Sequence, residues 1–145
     1  MRPNAVVPVY ATDGAAGLDL YTATHQTVAA GKIARVALGV AVAIPPGYVG
    51  DVRPRSGLTL SGLLVQYGTV DEDFRGELAA IVWNTTTQHV VLVPGQRIAQ
   101  LVVLERPRVT LVEVETLDET ARGANGFGHT GNSALANGPF APGTK

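Results

Sequence analysis

An acid-rich break interrupts the hydrophobic runs at Gly68-Thr69-Val70-Asp71-Glu72-Asp73-Phe74-Arg75-Gly76-Glu77. Three acids, an aromatic and an arginine stand there between two glycines. A carboxylate just after Val70, at a strand end, can be held firmly enough to aim a water molecule. The glycines let backbone turn and pass close to a ligand. A plain acidic β-turn would use the same residues. Only the company this segment keeps separates the two readings.

That company includes Arg53-Pro54-Arg55-Ser56-Gly57-Leu58. Pro54 denies a ladder hydrogen bond, so sheet pairing is expected to stop there. Guanidinium groups offer forked charged donors, Ser56 a hydroxyl and Gly57 an accessible N–H, which together make an anion cradle. Solvated arginines on a polar loop are the other reading. Gln100 alternates with apolar neighbours, Ile98 and Val102 being placed on its face, so it is either a satisfied buried amide or a ligand contact. Asp19, between Leu18 and Leu20, points away from the core face, as a supporting group or an exposed strand charge. In Arg122-Gly123-Ala124-Asn125-Gly126-Phe127-Gly128-His129-Thr130-Gly131, four glycines surround one phenylalanine. Glycine N–H groups suit phosphate and a flat ring suits a base, although an unstructured tail with an incidental aromatic has the same composition.

The elements that must position these groups read as strands. Glycine and proline are plentiful, 17 and 9 of 145 residues, and the apolar segments are short and valine-rich, which is the pattern of an all-β domain with many turns. Strands are expected at residues 5–10, 15–21, 26–30, 48–52, 63–66, 78–83, 90–93, 96–103 and 109–114, with a helical turn at 56–62. Residues 33–44 read as one long strand, or two with a bulge at Gly39. One all-β domain over 1–116, an arm over 117–131 and a tail over 132–145 without an assigned role follow. The arm has too little apolar surface to offset its ordering entropy and is expected to order when something binds.

Bulk composition excludes several chemistries. A net charge of -1 leaves no electrostatic footprint for nucleic acid. Without cysteine there are no disulfides, thiolate metal sites or thiol nucleophiles. The three histidines are far apart in sequence and show no metal-ligand spacing. No apolar run reaches membrane-spanning length, and a cytoplasmic protein without membrane partners is expected.

Five segments stand in one order: Ala16-Gly17-Leu18-Asp19-Leu20, Pro54-Arg55-Ser56-Gly57-Leu58, the acid-rich stretch from Gly68 to Gly76, Pro94-Gly95-Gln96-Arg97-Ile98-Ala99-Gln100-Leu101, and the glycine-rich arm. Together they resemble the trimeric dUTPase family, deoxyuridine 5′-triphosphate nucleotidohydrolase. The resemblance implies a distorted jelly-roll β-barrel with a flexible C-terminal arm, and a homotrimer whose active sites are shared. It implies hydrolysis of dUTP to dUMP and pyrophosphate. Asp71 would orient the water that attacks the α-phosphorus. Carboxylates are weak bases, so positioning should matter at least as much as proton removal. Arg55, Ser56, Gly57 and Gln100 would grip the α- and β-phosphates. Arg122, His129 and Thr130 would grip the γ-phosphate, with Phe127 and Gly128 over the uracil. Gln66, Gly68 and Val70 belong to the hairpin that would read the uracil edge, and Phe74 would lie against the deoxyribose. Asp19 and Asp73 would support the site. Mg²⁺ is implied as the cofactor, held by substrate phosphates and waters, with Asp19 a candidate contact through water. Phe74 stands where tyrosine is usual in the family, His129 where serine is common, and the 58–68 span is short. A dCTP deaminase of the same fold, or a nucleotide-sensing barrel without turnover, are the alternatives.

Overall fold

Alternation along short strands builds the fold. In β8 (Ala79–Asn84), Ala80, Val82 and Asn84 are buried while Ile81 and Trp83 face outward. That is the period-two signature of a strand with one face on a core. A computed structural model describes residues 3–125. The chain divides into two units, Met1–Arg108 and Val109–Lys145.

In the first unit, β1 (Val9–Tyr10), β2 (Leu18–Tyr21), β5 (Tyr48–Pro54), β7 (Gly68–Val70) and β10 (Arg97–Glu105) form a five-stranded sheet. Its order is β1-β2-β10-β5-β7. β10 is the centre, antiparallel to β2 on one side and β5 on the other. A second sheet has the order β4-β8-β6, from β4 (Ile33–Ala37) and β6 (Leu63–Val65), and β3 (Gln26–Val28) pairs with β9 (Val90–Leu92). Leu20, Val28, Val36, Val52, Val82 and Ile98 come from all three sheets and meet in one core. Each such side chain contributes about 1.5–3 kcal/mol by leaving water. This is the all-β fold expected from the strand pattern, in the distorted jelly-roll form that the resemblance implies. The one helix among the described residues, α1 (Ser56–Leu60), follows Pro54 directly. No helix among them is long and apolar enough to cross a membrane.

Three sequence expectations need correction. The long strand expected over 33–44 ends at Ala37. The N–H of Leu38 bonds the Leu78 carbonyl, and the N–H of Leu78 bonds the Val40 carbonyl. Gly39 is the extra residue between them, at φ 73°, a conformation that glycine adopts without a steric penalty. The break falls at the glycine that the sequence marks as the place of a bulge, but the chain beyond it forms no second strand before β5. Second, Ile98 does not share a face with Gln100. The pairing of β10 with β2 shifts register between Arg97 and Ala99, so Ile98 and Ala99 both enter the core. Third, residues 109–114 form no strand. Val109, Leu111, Val112 and Val114 are exposed. A strand pattern needs a neighbouring strand to satisfy its backbone, and no sheet in the described residues includes this segment.

Candidate active site

β10 gathers one group of candidate residues. Gln100 stands opposite Asp19 on β2 and opposite Arg53 on β5. Asp19 lies on the strand face opposite Leu20, as alternation requires, but it is only 7% exposed. The expectation of an exposed strand charge is therefore corrected. Two guanidinium groups close over it: Arg55 Nε at 3.1 Å from Oδ1, and Arg97 Nη1 at 3.1 Å from Oδ2. A buried carboxylate with both oxygens bonded to arginine fixes those arginines as much as they fix it. The Gln100 amide donates from Nε2 to the Pro54 carbonyl at 3.0 Å. Its Oε1 sits 2.9 Å from where a Cβ at Gly17 would lie, so it needs the bare backbone there. Gln100 thus holds the chain one residue before Arg55. Arg55 is the N-cap of α1 and makes no side-chain cap bond, and Ser56 and Gly57 are exposed in the first turn. Arg55, Ser56, Gly57, Gln100 and Asp19 therefore converge, with Arg97 added.

A second group gathers where β7 ends. β7 pairs with β5 in the register Gly50↔Val70 and Val52↔Gly68. Asp71 follows at once and is exposed. Its carbonyl accepts the Phe74 N–H at 3.1 Å, closing the turn. Arg75 Nη1 donates to the carbonyls of Glu72 and Phe74 at 2.7 and 2.8 Å. The Phe74 ring lies over Gly76, where a Cβ would come within 2.6 Å of Cζ. Phe74 also lines a cavity of about 210 Å³ with Val52, Gly68, Val70 and Leu78. Gln66 is tied to Ile81 through its backbone N–H at 2.9 Å, and its side chain is exposed. Asp73 is exposed and makes no hydrogen bond or ion pair among the described residues. Its neighbour Glu72 does, with Gly47, Arg106 and Arg108.

These two groups sit at opposite ends of the same sheet. Val70 is level with Gly50, and Arg55 lies five residues further along β5, roughly 16 Å at the rise of a strand. Across the sheet, β2 is three strands from β7, about 14 Å at the usual strand spacing. Arg55 leans toward β2 because it binds Asp19. One copy of the chain cannot bring Asp71 and this arginine to the same phosphate.

The remaining candidates lie in the second unit. Arg122 Nε donates to the Asn125 carbonyl at 2.9 Å, and Gly123 N–H to the Thr120 carbonyl at 3.0 Å, which makes a local turn. Phe127, Gly128, His129 and Thr130 lie outside the described residues.

Sequence reasoning passed over three contributors: Arg97, Glu72 and Arg106. Arg97 lies in the 94–101 segment near Gln100, and its positive charge beside a strand that carries Gln100 was the available signal. Nothing local announced the partnership of Glu72 with Arg106, because it joins segments far apart in sequence. As for a metal, the described residues contain no group of three or more His, Asp or Glu side chains able to hold one. Asp19 already faces two cations, which disfavours a third beside it.

Comparison with known proteins gives one consistent result. The dUTPase family model matches residues 3–131. A deoxyuridine 5'-triphosphate nucleotidohydrolase of Syntrophotalea carbinolica is 46% identical over 136 residues, 90% of this chain and 92% of that protein. One from Caldanaerobacter subterraneus subsp. tengcongensis is 45% identical, covering 86% and 88%. Among solved structures, a Staphylococcus bacteriophage 80alpha dUTPase G164S mutant with dUpNHpp is similar at TM-score 0.81 and 26% identity, covering 90% of this chain and 94% of that one.

Proposed function

The chain belongs to the dUTPase family, and we propose that it hydrolyses dUTP to dUMP and pyrophosphate at a site that no single copy completes. The reaction keeps uracil out of DNA and supplies dUMP for thymidylate synthesis. The observation that carries the composite site is the separation along β5. Asp71 and Phe74 lie at one end of that strand, while Arg55, Ser56, Gly57 and Gln100 lie at the other. A homotrimer in which one copy's β7 end faces another copy's α1 end brings them together, and a closed ring repeats the junction at each interface.

In that arrangement dUTP lies with its base and sugar in the cavity beside Phe74. Cytosine reverses a donor and an acceptor on the edge read by the 66–70 hairpin, so dCTP would leave polar groups unpaired. The triphosphate runs toward Arg55, whose guanidinium is pre-set by Asp19, and toward the exposed start of α1. Asp71 holds a water in line with the α-phosphorus and takes its proton as the P–O bond to the leaving pyrophosphate breaks. Donors already aimed at the phosphates cost no reorganisation at that moment. Mg²⁺ suits this donor set because it is usually bound through substrate phosphates rather than by a protein cage. When bound it offsets phosphate charge. Arg122, His129 and Thr130 of the arm grip the γ-phosphate, and Phe127 and Gly128 cover the base.

Incubation with dUTP or dCTP and Mg²⁺, followed by chromatography of the products, tests this reading. dUMP with pyrophosphate is expected from dUTP, and no change in dCTP. Ammonia released from dCTP, or no turnover of either nucleotide, would overturn it. In the same assay Asp71→Asn should bind dUTP and barely turn it over.

A further inference from the structure

The side chain of Glu72 is bonded more fully than any other acid of the 71–73 loop, and none of the roles above uses it. Its Oε2 accepts the Gly47 N–H at 2.7 Å and faces Arg106 Nη2 at 2.8 Å. Its Oε1 lies 3.8 Å from Arg108 Nη2. The Arg106 N–H in turn donates to the Gly47 carbonyl at 2.7 Å. Gly47, Glu72 and Arg106 therefore close a three-way junction between the turn before β5, the loop after β7 and the end of β10. The Glu72 carbonyl is held as well, by Arg75. Asp71 stands directly before this residue and directly after Val70, which is fixed in the sheet opposite Gly50. Asp73 contributes no such contact among the described residues.

We infer that Glu72 is a positioning residue: through Gly47 and Arg106 it locks the peptide that carries Asp71, so that the attacking water is aimed without the loop having to settle during the reaction. The inference rests on Asp71 being the group that orients the water. Two anchored neighbours leave the Asp71 backbone little freedom, whereas an exposed loop held on one side only would wander. A misplacement of about 1 Å at a reacting group can cost about a hundredfold in rate, so a loosened latch should be visible in kcat. Arg106 is the necessary partner. Arg108 is dispensable, being farther from the carboxylate and 80% exposed.

The test uses the full chain with four substitutions: Glu72→Gln, Arg106→Met, Arg108→Met and Asp71→Asn. Steady-state dUTP hydrolysis, affinity for a non-hydrolysable dUTP analogue and melting temperature are measured for each. Glu72→Gln and Arg106→Met should each lower kcat by about ten- to a hundredfold, with KM and analogue affinity within about twofold of the parent. Arg108→Met should leave kcat unchanged. Should Glu72→Gln fail to fold, Arg106→Met opens the same junction from its other side. The inference is overturned if both variants keep kcat within about twofold, or if turnover falls only in step with analogue binding or folded protein. Full activity in Asp71→Asn would instead remove the reading beneath it, which is a distinguishable result.

Discussion

Two inactive proteins should make an active one. Asp71→Asn removes the carboxylate proposed to orient the water, and Arg55→Ala removes the guanidinium proposed to grip the phosphates. Each homotrimer should be inactive. The two groups lie roughly 16 Å apart along β5 and on opposite sides of it, so each site must take them from different copies. Equal amounts of the two proteins, unfolded together and refolded, distribute at random among trimers. A site is intact when the copy giving Asp71 came from the arginine variant and the copy giving Arg55 came from the aspartate variant. Each condition holds for half the copies, so about a quarter of the sites are restored. The assay is pyrophosphate release from saturating dUTP, with the two proteins refolded separately and then mixed as the control. Activity near a quarter of the parent's in the co-refolded sample, and none in the control, is the expected outcome. If co-refolded trimers form and remain inactive, the two groups act within one copy and the geometry has been misread.

Three more predictions follow from named contacts. Asp19→Asn keeps the shape but turns an amide NH₂ toward one guanidinium. Asp19 is buried while Arg55 and Arg97 are 32% and 49% exposed, so the loss should fall between the surface and buried limits, at about 2 kcal/mol. A lower urea midpoint and a KM for dUTP raised about tenfold would show it, and an unchanged midpoint would count against it. Gly76→Ala must displace the Phe74 ring, since the new Cβ would sit 2.6 Å from Cζ. Because that ring is exposed, kcat/KM for dUTP should drop by about tenfold with little change in melting temperature, and parental kinetics would refute the cavity assignment. The Gly47 N–H, then Arg106 and Arg108, hold the Glu72 carboxyl below its ordinary carboxylate value. A depressed folded value means the contribution is complete above the ordinary range and is lost as pH falls through the folded value. Asp71 and Asp73 line the same small cavity, so the comparison must be with Glu72→Gln: the melting gap between parent and variant should be open at neutral pH and close in acid. A gap that stays constant would contradict it.

Much of this fold was legible because strand periodicity is local. A residue's face depends on its neighbours two positions away, and β8 shows this without exception from Ala80 to Asn84. The failures share one cause, a geometry set by distant partners. The bulge at Ile98 depends on how β10 meets β2, and the end of β4 depends on the two bonds from Leu78 to either side of Gly39. For Asp19, alternation gives the face and not what covers it, which left a supporting group and an exposed charge equally open. Arg55 and Arg97 cover it, from 36 and 78 positions away. The type and order of the site residues were readable, but their partners were not.

The proposed sharing of the site has the same origin. Arg55 precedes Asp71 by only sixteen residues, and proximity in sequence invites the thought that they meet. Antiparallel return forbids it. The chain leaves β5 at Pro54, crosses α1 and β6, and comes back as β7 beside Val52, running toward Gly50. Whatever follows the returning strand must lie where the first strand began, and whatever follows the first strand must lie where the second began. Asp71 and Arg55 are those two followers. Lengthening the 58–68 span would not reunite them, because the register Gly50↔Val70 sets their separation and the connecting loop does not. The proposed trimer closes the distance with a second copy, which would offer its α1 end to this β7 end. In the proposed trimer, strand direction itself would distribute the two halves of the chemistry between subunits.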